Sequence, residues 1–272
     1  VMDNLTDELL FECDNGIGVI TLNRPEKRNA ITSTMGESFV KILEQARKRD
    51  DIKVLVITGS GEGFCAGADA ASRLKERIGD GGYKALEKSR SELLEPGMIV
   101  MPHALMDLGK PVIAAVNGVA AASGLSIALM CDFRIASEKA RFVASWVRIG
   151  LMPDGGASYW LPRIVGVDNA LKLFYTGEAI DAAEAKRINL VTQVVPHEEL
   201  MSTAMDFAGK IARMPSVSIE LTHRTVYRLF NEELARQLFN ENLAMNICFN
   251  TEDFREGTRA FLEKRKPVFK GI

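Results

Sequence analysis

Histidine, cysteine and charge imbalance are all scarce in this sequence, and each shortage removes a class of function. There are 3 histidines in 272 residues, and the 4 cysteines, Cys13, Cys65, Cys131 and Cys248, lie far apart with no Cys-x-x-Cys and no neighbouring histidine. Neither a zinc site nor a disulfide framework is suggested, so no metal is expected, and the thiols fit a reducing compartment. The formal charge of -2 arises from 34 basic and 36 acidic residues spread along the chain. That balance leaves no nucleic-acid footprint and no polybasic membrane patch. Long apolar runs are missing too: the one beginning at Val112 is interrupted by Asn117, too soon to span a bilayer. The opening VMDNLTDELL carries acids where a secretory signal needs basic residues and an apolar stretch. The expectation is a cytoplasmic protein that engages neither nucleic acid nor membrane and whose partner is small.

What is present is a globular composition, 47% hydrophobic and 26% charged, in a chain long enough for a sizeable core. LLFEC-DNG-IGVITLN reads as a β-hairpin, because Asp14-Asn15-Gly16 supplies residues that tolerate positive φ. Thr32, Ser33 and Thr34 offer N-caps to a helix that places Phe39, Ile42, Leu43 and Ala46 on one face. IKVLVITG and KPVIAAVNG are continuous apolar strands of the kind covered on both faces. A helix from Ser123 to Met130 and a strand FRIAS follow. This alternation predicts an α/β core over residues 1–197. Residues 198–272 read as helical, in segments 198–213, 216–230, 231–248 and 251–264, and apolar Leu234, Leu238, Phe239, Leu243 and Met245 offer more buried surface than one core needs.

Three stretches carry candidate chemistry. GSGEGFCAGAD, Gly59 to Asp69, follows a strand but lacks the dinucleotide spacing G-x-G-x-x-G, so a Rossmann reading fails. Its small residues Ala66, Gly67 and Ala68 would let backbone N–H groups approach a ligand, and an ordinary surface turn is the plainer alternative. AAASGLSIALMC puts small residues at a strand-to-helix turn, which suits either a ligand-facing helix N-terminus or close helix–strand packing. ASWVRIGLMPDGGAS contains one carboxylate, Asp154, eight positions after Trp146. It is either a catalytic group or the N-cap of a helix beginning at GGASYWL.

With FCAGAD, KPVIAAVNGVAAASG, IGLMPDGGASYWLPRIVG, TGEAIDAAEAKRINLV and the terminal EGTRAFLEKRKPVF in this order, together with ITLNRPEKRNAI near the start, the chain resembles the crotonase, or enoyl-CoA hydratase/isomerase, superfamily. The resemblance implies a spiral of β-β-α units with an α-helical trimerisation region at the C-terminal end, and a homotrimer or dimer of trimers. It implies an acyl-CoA thioester as substrate, with coenzyme A entering as part of that substrate and no separate cofactor. By the same resemblance the oxyanion hole falls on the N–H groups of Ala68 and Ser123, although the family usually has glycine at the second position. The ADP part of CoA would lie along Lys27, Arg28 and Ala30 and against Ala66. The acyl pocket would draw on the segment Ala70 to Met106, the least family-like part, with Leu74, Ile78, Tyr83, Met98, Met101 and His103 as candidates, and on Ser126.

The departures decide the expected reaction. The two glutamates of the family's hydratases are replaced by Ser126 and Trp146, which cannot serve as acid and base near neutral pH. Asp154 falls where the family's isomerases carry their single carboxylate, and one base suffices to move a proton between two carbons. Migration of an enoyl-CoA double bond from the 3- to the 2-position is therefore expected, with Asp154 and Trp146 as catalytic residues. The Trp146–Asp154 pair also matches the superfamily's aromatic acyl-CoA dehalogenases, but Ile99 stands where those have a histidine base and His103 is out of register. Two further readings are a hydrolase built on Gly124-Leu125-Ser126, with Asp154 and then His197 or His223, and a catalytically silent acyl-CoA-binding scaffold.

Overall fold

The computed structural model describes residues 6–69 and 96–272. The hairpin forms as the sequence suggests: β1 (Leu9–Asp14) pairs antiparallel with β2 (Ile17–Leu22), with Asn15 and Gly16 both at positive φ in the two-residue turn. Helix α1 (Ser33–Arg47) follows, and Thr32 is its N-cap, its hydroxyl accepting from Met35 N at 3.1 Å. Strands β3 (Val54–Gly59) and β4 (Gly63–Cys65) come next, then α2 (Pro96–Asp107), β5 (Val112–Val116), β6 (Val119–Ala121) and α3 (Ser123–Met130). After α3 come β7 (Phe133–Ser137), β8 (Arg141–Val143) and a 3-10 turn at Ser145–Ile149. Helices α4 (Ala157–Val165) and α5 (Val167–Thr176) lead to β9 (Ala179–Asp181), α6 (Ala182–Arg187) and β10 (Gln193–Val195).

From β3 to β8 consecutive strands alternate between two sheets. The larger has the order β1-β2-β3-β5-β7-β10 and the smaller β4-β6-β8-β9. Every pairing is parallel except β1 with β2 and β8 with β9. The units β3-β4, β5-β6 and β7-β8 each send one strand to each sheet before a helix returns the chain. Repetition of that step winds it into a β-β-α spiral.

Continuous apolar strands follow from cover on both faces of the larger sheet. Leu55, Ile57, Val112, Ala114 and Val116 face the main core, whereas Val54, Val56, Ile113, Ala115 and Ile135 face a second one. The second core is closed by helix α7 (Leu200–Ala212), whose Ala204, Ala208 and Ala212 recur every four residues and let it lie close to the sheet.

Helix α8 (Ser216–Phe249) is a single element of 34 residues, not two helices meeting at 230/231. No glycine or proline interrupts it, so nothing breaks the hydrogen-bond ladder, and it runs about 50 Å. Helix α9 (Glu252–Leu262) ends the fold, with Thr251 Oγ1 accepting from Phe254 N at 3.0 Å. Leu234, Leu238 and Met245 of α8 belong to the subunit's own core, while Phe239 and Leu243 are exposed. Among the described residues no helix is long and apolar enough to cross a membrane.

Candidate active site

Two loops build one wall of the site. The turn at 24–31 and the segment 63–69 lie side by side: Ala66 N donates to Arg28 O at 2.9 Å, Ile31 N to Gly67 O at 2.8 Å, and Asp69 N to Ile31 O at 3.0 Å. This parallel pairing uses the N–H groups of Ala66 and Asp69 and the carbonyl of Gly67, and leaves the N–H of Ala68 out of the ladder. It also brings Lys27, Arg28, Ala30 and Ala66, the expected CoA-binding residues, onto one track that leads to Ala68. Lys27 and Arg28 are exposed and Ala30 is buried, a distribution that leaves the two cations where a charged phosphate could reach them.

What holds this track in place was not foreseen. Asn29, fully buried at φ 58°, donates to Ser60 O at 3.0 Å and Gly63 O at 2.7 Å and accepts from Arg24 N at 2.8 Å. Asn117, just after β5, reaches the same loop, donating to Gly61 O and Gly63 O at 2.9 and 3.1 Å and accepting from Gly59 N. Arg24 bridges to Asp69 at 2.9 Å and donates to Ala30 O. The one sequence signal for these roles was Asn29 itself, since asparagine tolerates the left-handed conformation.

The second wall is the start of α3. Ala122 sits at φ 45°, ψ -120°, a conformation costly for any residue with a Cβ, immediately before Ser123 opens the helix. Gly67 touches this turn: a Cβ there would lie 3.6 Å from Ser123 N. The two candidate oxyanion donors thus stand on abutting loops. Gly124 is required by contact, because a Cβ would meet Cys65 O at 2.2 Å. Close packing and a cavity-facing helix N-terminus coexist at this turn.

A cavity of about 50 Å³ lies between the walls, and Ile31, Ala68, Met101, Ser123, Ser126 and Asp154 are among the residues lining it. Expected donors, expected acid–base group and two expected acyl-pocket residues therefore converge. His103 is not part of the lining; on α2 the residues facing the cavity are Met101, Pro102 and Leu105, and the helical turn carries His103 to another side. Leu74, Ile78 and Tyr83 lie outside the described residues.

Asp154 is 8% exposed, and its Oδ1 accepts the indole N–H of Trp146 at 2.9 Å. It is not a helix cap: the N-cap of α4 is Gly156, and Asp154 contributes a main-chain carbonyl that accepts from Ala157 N and from the Ser126 hydroxyl at 2.9 Å. Trp146 is buried, with its ring edge-to-face against Phe174 at 6.3 Å, and it is bonded to Asp154 without being part of the cavity lining. Ser126, in the middle of α3, is engaged with a carbonyl. His197 bonds Ser137, and His223 approaches Asp132. No Ser126-centred triad is assembled. Cys65 is also unsuited to attack, since burial pushes its thiol up to about 12.

One carboxylate escaped the sequence reading. Glu241 of α8, 2% exposed, accepts from Gly156 N at 2.9 Å and from Ser158 N at 3.1 Å and also from the Ser158 hydroxyl. Burial pushes it up to about 7, the donors at Ser158 and Gly156 pull the other way, and the charge of Asp154 adds to the rise. Among the described residues no three His, Cys, Asp or Glu side chains are grouped as a metal site would require.

A family model described as enoyl-CoA hydratase/isomerase matches residues 12–272. A probable enoyl-CoA hydratase of Rhodobacter capsulatus is 37% identical over 263 residues, 96% of this chain and 97% of that protein. The 1,2-epoxyphenylacetyl-CoA isomerase of Escherichia coli K12 is 35% identical, covering 97% and 98% of the two chains. A crystal structure of an enoyl-CoA hydratase/isomerase from Pseudoalteromonas atlantica superimposes with a TM-score of 0.87 at 30% identity, over 97% of this chain and 100% of that one.

Proposed function

The chain belongs to the enoyl-CoA hydratase/isomerase family, and from that premise we propose that it moves the double bond of a 3-enoyl-CoA to the 2-position with Asp154 as its single acid–base group. One observation carries the reading. Among the described residues lining the cavity Asp154 is the one carboxylate, and by the resemblance Ser126 and Trp146 stand where the family's hydratases carry their two glutamates. Hydration requires one group to activate water and another to protonate the α-carbon. Isomerisation requires one group that takes a proton from C2 and returns it to C4.

In this reading the thioester oxygen accepts from the N–H groups of Ala68 and Ser123. Removal of the C2 proton by Asp154 sends its electron pair into a dienolate whose charge rests on that oxygen, and the donors stabilise it. Asp154 then delivers the same proton to C4. The indole N–H on Oδ1 fixes the plane of the carboxylate during both transfers. The name of the Escherichia coli relative supports isomerase chemistry within the family, whereas most similar proteins carry hydratase names. Homotrimeric assembly, or a dimer of trimers, belongs to the same proposal and is supported by the exposed apolar stripe of α8.

Turnover of a panel of 3-enoyl-CoA thioesters of graded length tests the reaction. Asp154→Asn is expected to lower kcat by about 10²–10⁴-fold, the usual contribution of a positioned base, with the protein folded and CoA affinity retained. Solvent deuterium should enter the product only in part. Full activity in this variant removes Asp154 from the chemistry, and efficient hydration of a 2-enoyl-CoA by the wild type overturns the isomerase assignment.

A further inference from the structure

Asp154 ends one strand of connections and begins another. Gly155 and Gly156 follow it at φ 62° and 81°, two successive left-handed residues that turn the chain sharply into α4. Such a turn has no side chain of its own to hold it, and Gly156, the N-cap, has none with which to cap the helix. The missing acceptor comes from 85 residues away: Glu241 takes the N–H of Gly156 on Oε2, and the N–H and hydroxyl of Ser158 on Oε1. Gln237, one turn earlier on α8, donates to the same hydroxyl at 2.7 Å. On the opposite side, the Ser126 hydroxyl grips Asp154 O at 2.9 Å. One residue, Gly155, separates Asp154 from the first bond to Glu241, and Gly155 itself lines the cavity.

Placing a carboxylate at 2% exposure is costly unless it is well hydrogen-bonded. A helix cap from the residue before the helix would have achieved stability at lower cost. The three donors that satisfy Glu241 all belong to the turn that carries Asp154. Resting on the reading of Asp154 as the base, we propose that Glu241 is a positioning residue: the C-terminal helix holds the turn from behind, so that the Asp154 carboxylate is presented to the substrate carbons at fixed distance.

A catalytic group misplaced by about 1 Å can lose on the order of 10²-fold in rate. Glu241→Ala is therefore expected to lower kcat by about 10²-fold, and Glu241→Gln, which keeps one acceptor, by about 10-fold, with KM changed less than about 2-fold. A second readout does not depend on turnover. The protein has 2 tryptophans, so its indole N–H spectrum has two signals, and Trp146→Phe assigns the one bonded to Asp154. In the Glu241 variants this signal should move toward its position in Asp154→Asn. A folded Glu241→Gln with wild-type kcat and an unmoved Trp146 signal overturns the proposal. So does a fall in kcat that matches only a fall in folded fraction. If instead Asp154→Asn stays fully active, the reaction assignment fails by itself, and the Trp146 signal still decides whether Glu241 positions the turn.

Discussion

At residue scale, the Trp146–Asp154 bond is the contact on which the proposed chemistry depends. It is a donor–carboxylate pair of 2.9 Å with both side chains buried, a charge-assisted bond stronger than a neutral one. Trp146→Phe keeps most of the ring packing against Phe174 and removes only the donor. Loss of a hydrogen bond to a charged group costs about 1.5–3 kcal/mol; kcat is expected to fall by about 10–100-fold, in line with that energy, while urea unfolding shows a loss of at most about 3 kcal/mol. A large stability loss with unchanged kcat would make the indole a packing residue. Glu241 gives a second residue-level prediction, in stability against pH. Its carboxyl lies at about 7 in the fold against 4.5 as its ordinary value, raised first by burial. The folded state thus holds a proton that the unfolded chain releases earlier, so this contribution is complete below the ordinary value and is lost as pH rises through about 7. Relative to Glu241→Gln, the wild type should lose about 3 kcal/mol between pH 4.5 and 8, a trend that denaturant titrations at several pH values would reveal or refute. Asp154, Trp146, Ala68 and Ser123 were legible because they sit in contiguous motifs. Glu241 was not, since in sequence it is one acid among many on a helix, and only the fold brings it to Gly156.

The elements show the same division. The hairpin, α1 and α3 could be read from the chain because local chemistry fixes them: Asn15-Gly16 for the turn, Thr32 for the cap, small residues Ala120 to Gly124 for the entry to α3. The smaller sheet could not, since β4, β6, β8 and β9 have 3 residues each, too few for alternation to stand out. Helix α8 was divided at 230/231 on grounds of periodicity alone, though nothing there stops a helix. The entry to α3 is where element geometry meets catalysis. Ala122 at φ 45°, ψ -120° holds strain of about 1–3 kcal/mol. Ala122→Gly relieves it at an unfolded-state entropy cost of about 0.5–1 kcal/mol, so the variant should be slightly more stable than wild type by chemical denaturation. Gly124→Ala should act oppositely: its Cβ would drive α3 away from Cys65 O on β4. Both stability and turnover are expected to fall together, because the Ser123 donor moves with the helix. A fully active, fully stable Gly124→Ala would mean that the two loops can separate without disturbing the site.

For the whole molecule, the spiral explains how residues from distant parts of the chain share one cavity. Each β-β-α turn delivers a loop to the same side, so Ala68, Ser123 and Asp154 arrive from successive turns, and α8 closes the back of the last one. The order of these motifs was visible in the sequence, but their convergence required the two sheets. Assembly is the level at which the single chain looks incomplete. Phe239, Leu243 and Ile247 recur every four residues along α8 at 52%, 51% and 70% exposure, and Val167, Leu171 and Tyr175 form a similar stripe on α5. Apolar rows of this kind at helical spacing mark surfaces that another protein covers. If the proposed assembly holds, sedimentation at micromolar concentration gives a trimer or hexamer. Charges placed on the α8 stripe, Leu243→Asp with Ile247→Asp, should shift it toward monomer, because burying an unpaired carboxylate in an interface is unfavourable. Glu241 lies on the same helix, facing inward between these outward residues, so dissociation is expected to loosen the Asp154 turn and to lower kcat more than it alters KM. A wild-type monomer at that concentration would remove the assembly from the proposal. A fully active monomeric double variant would show that the site is complete within one subunit.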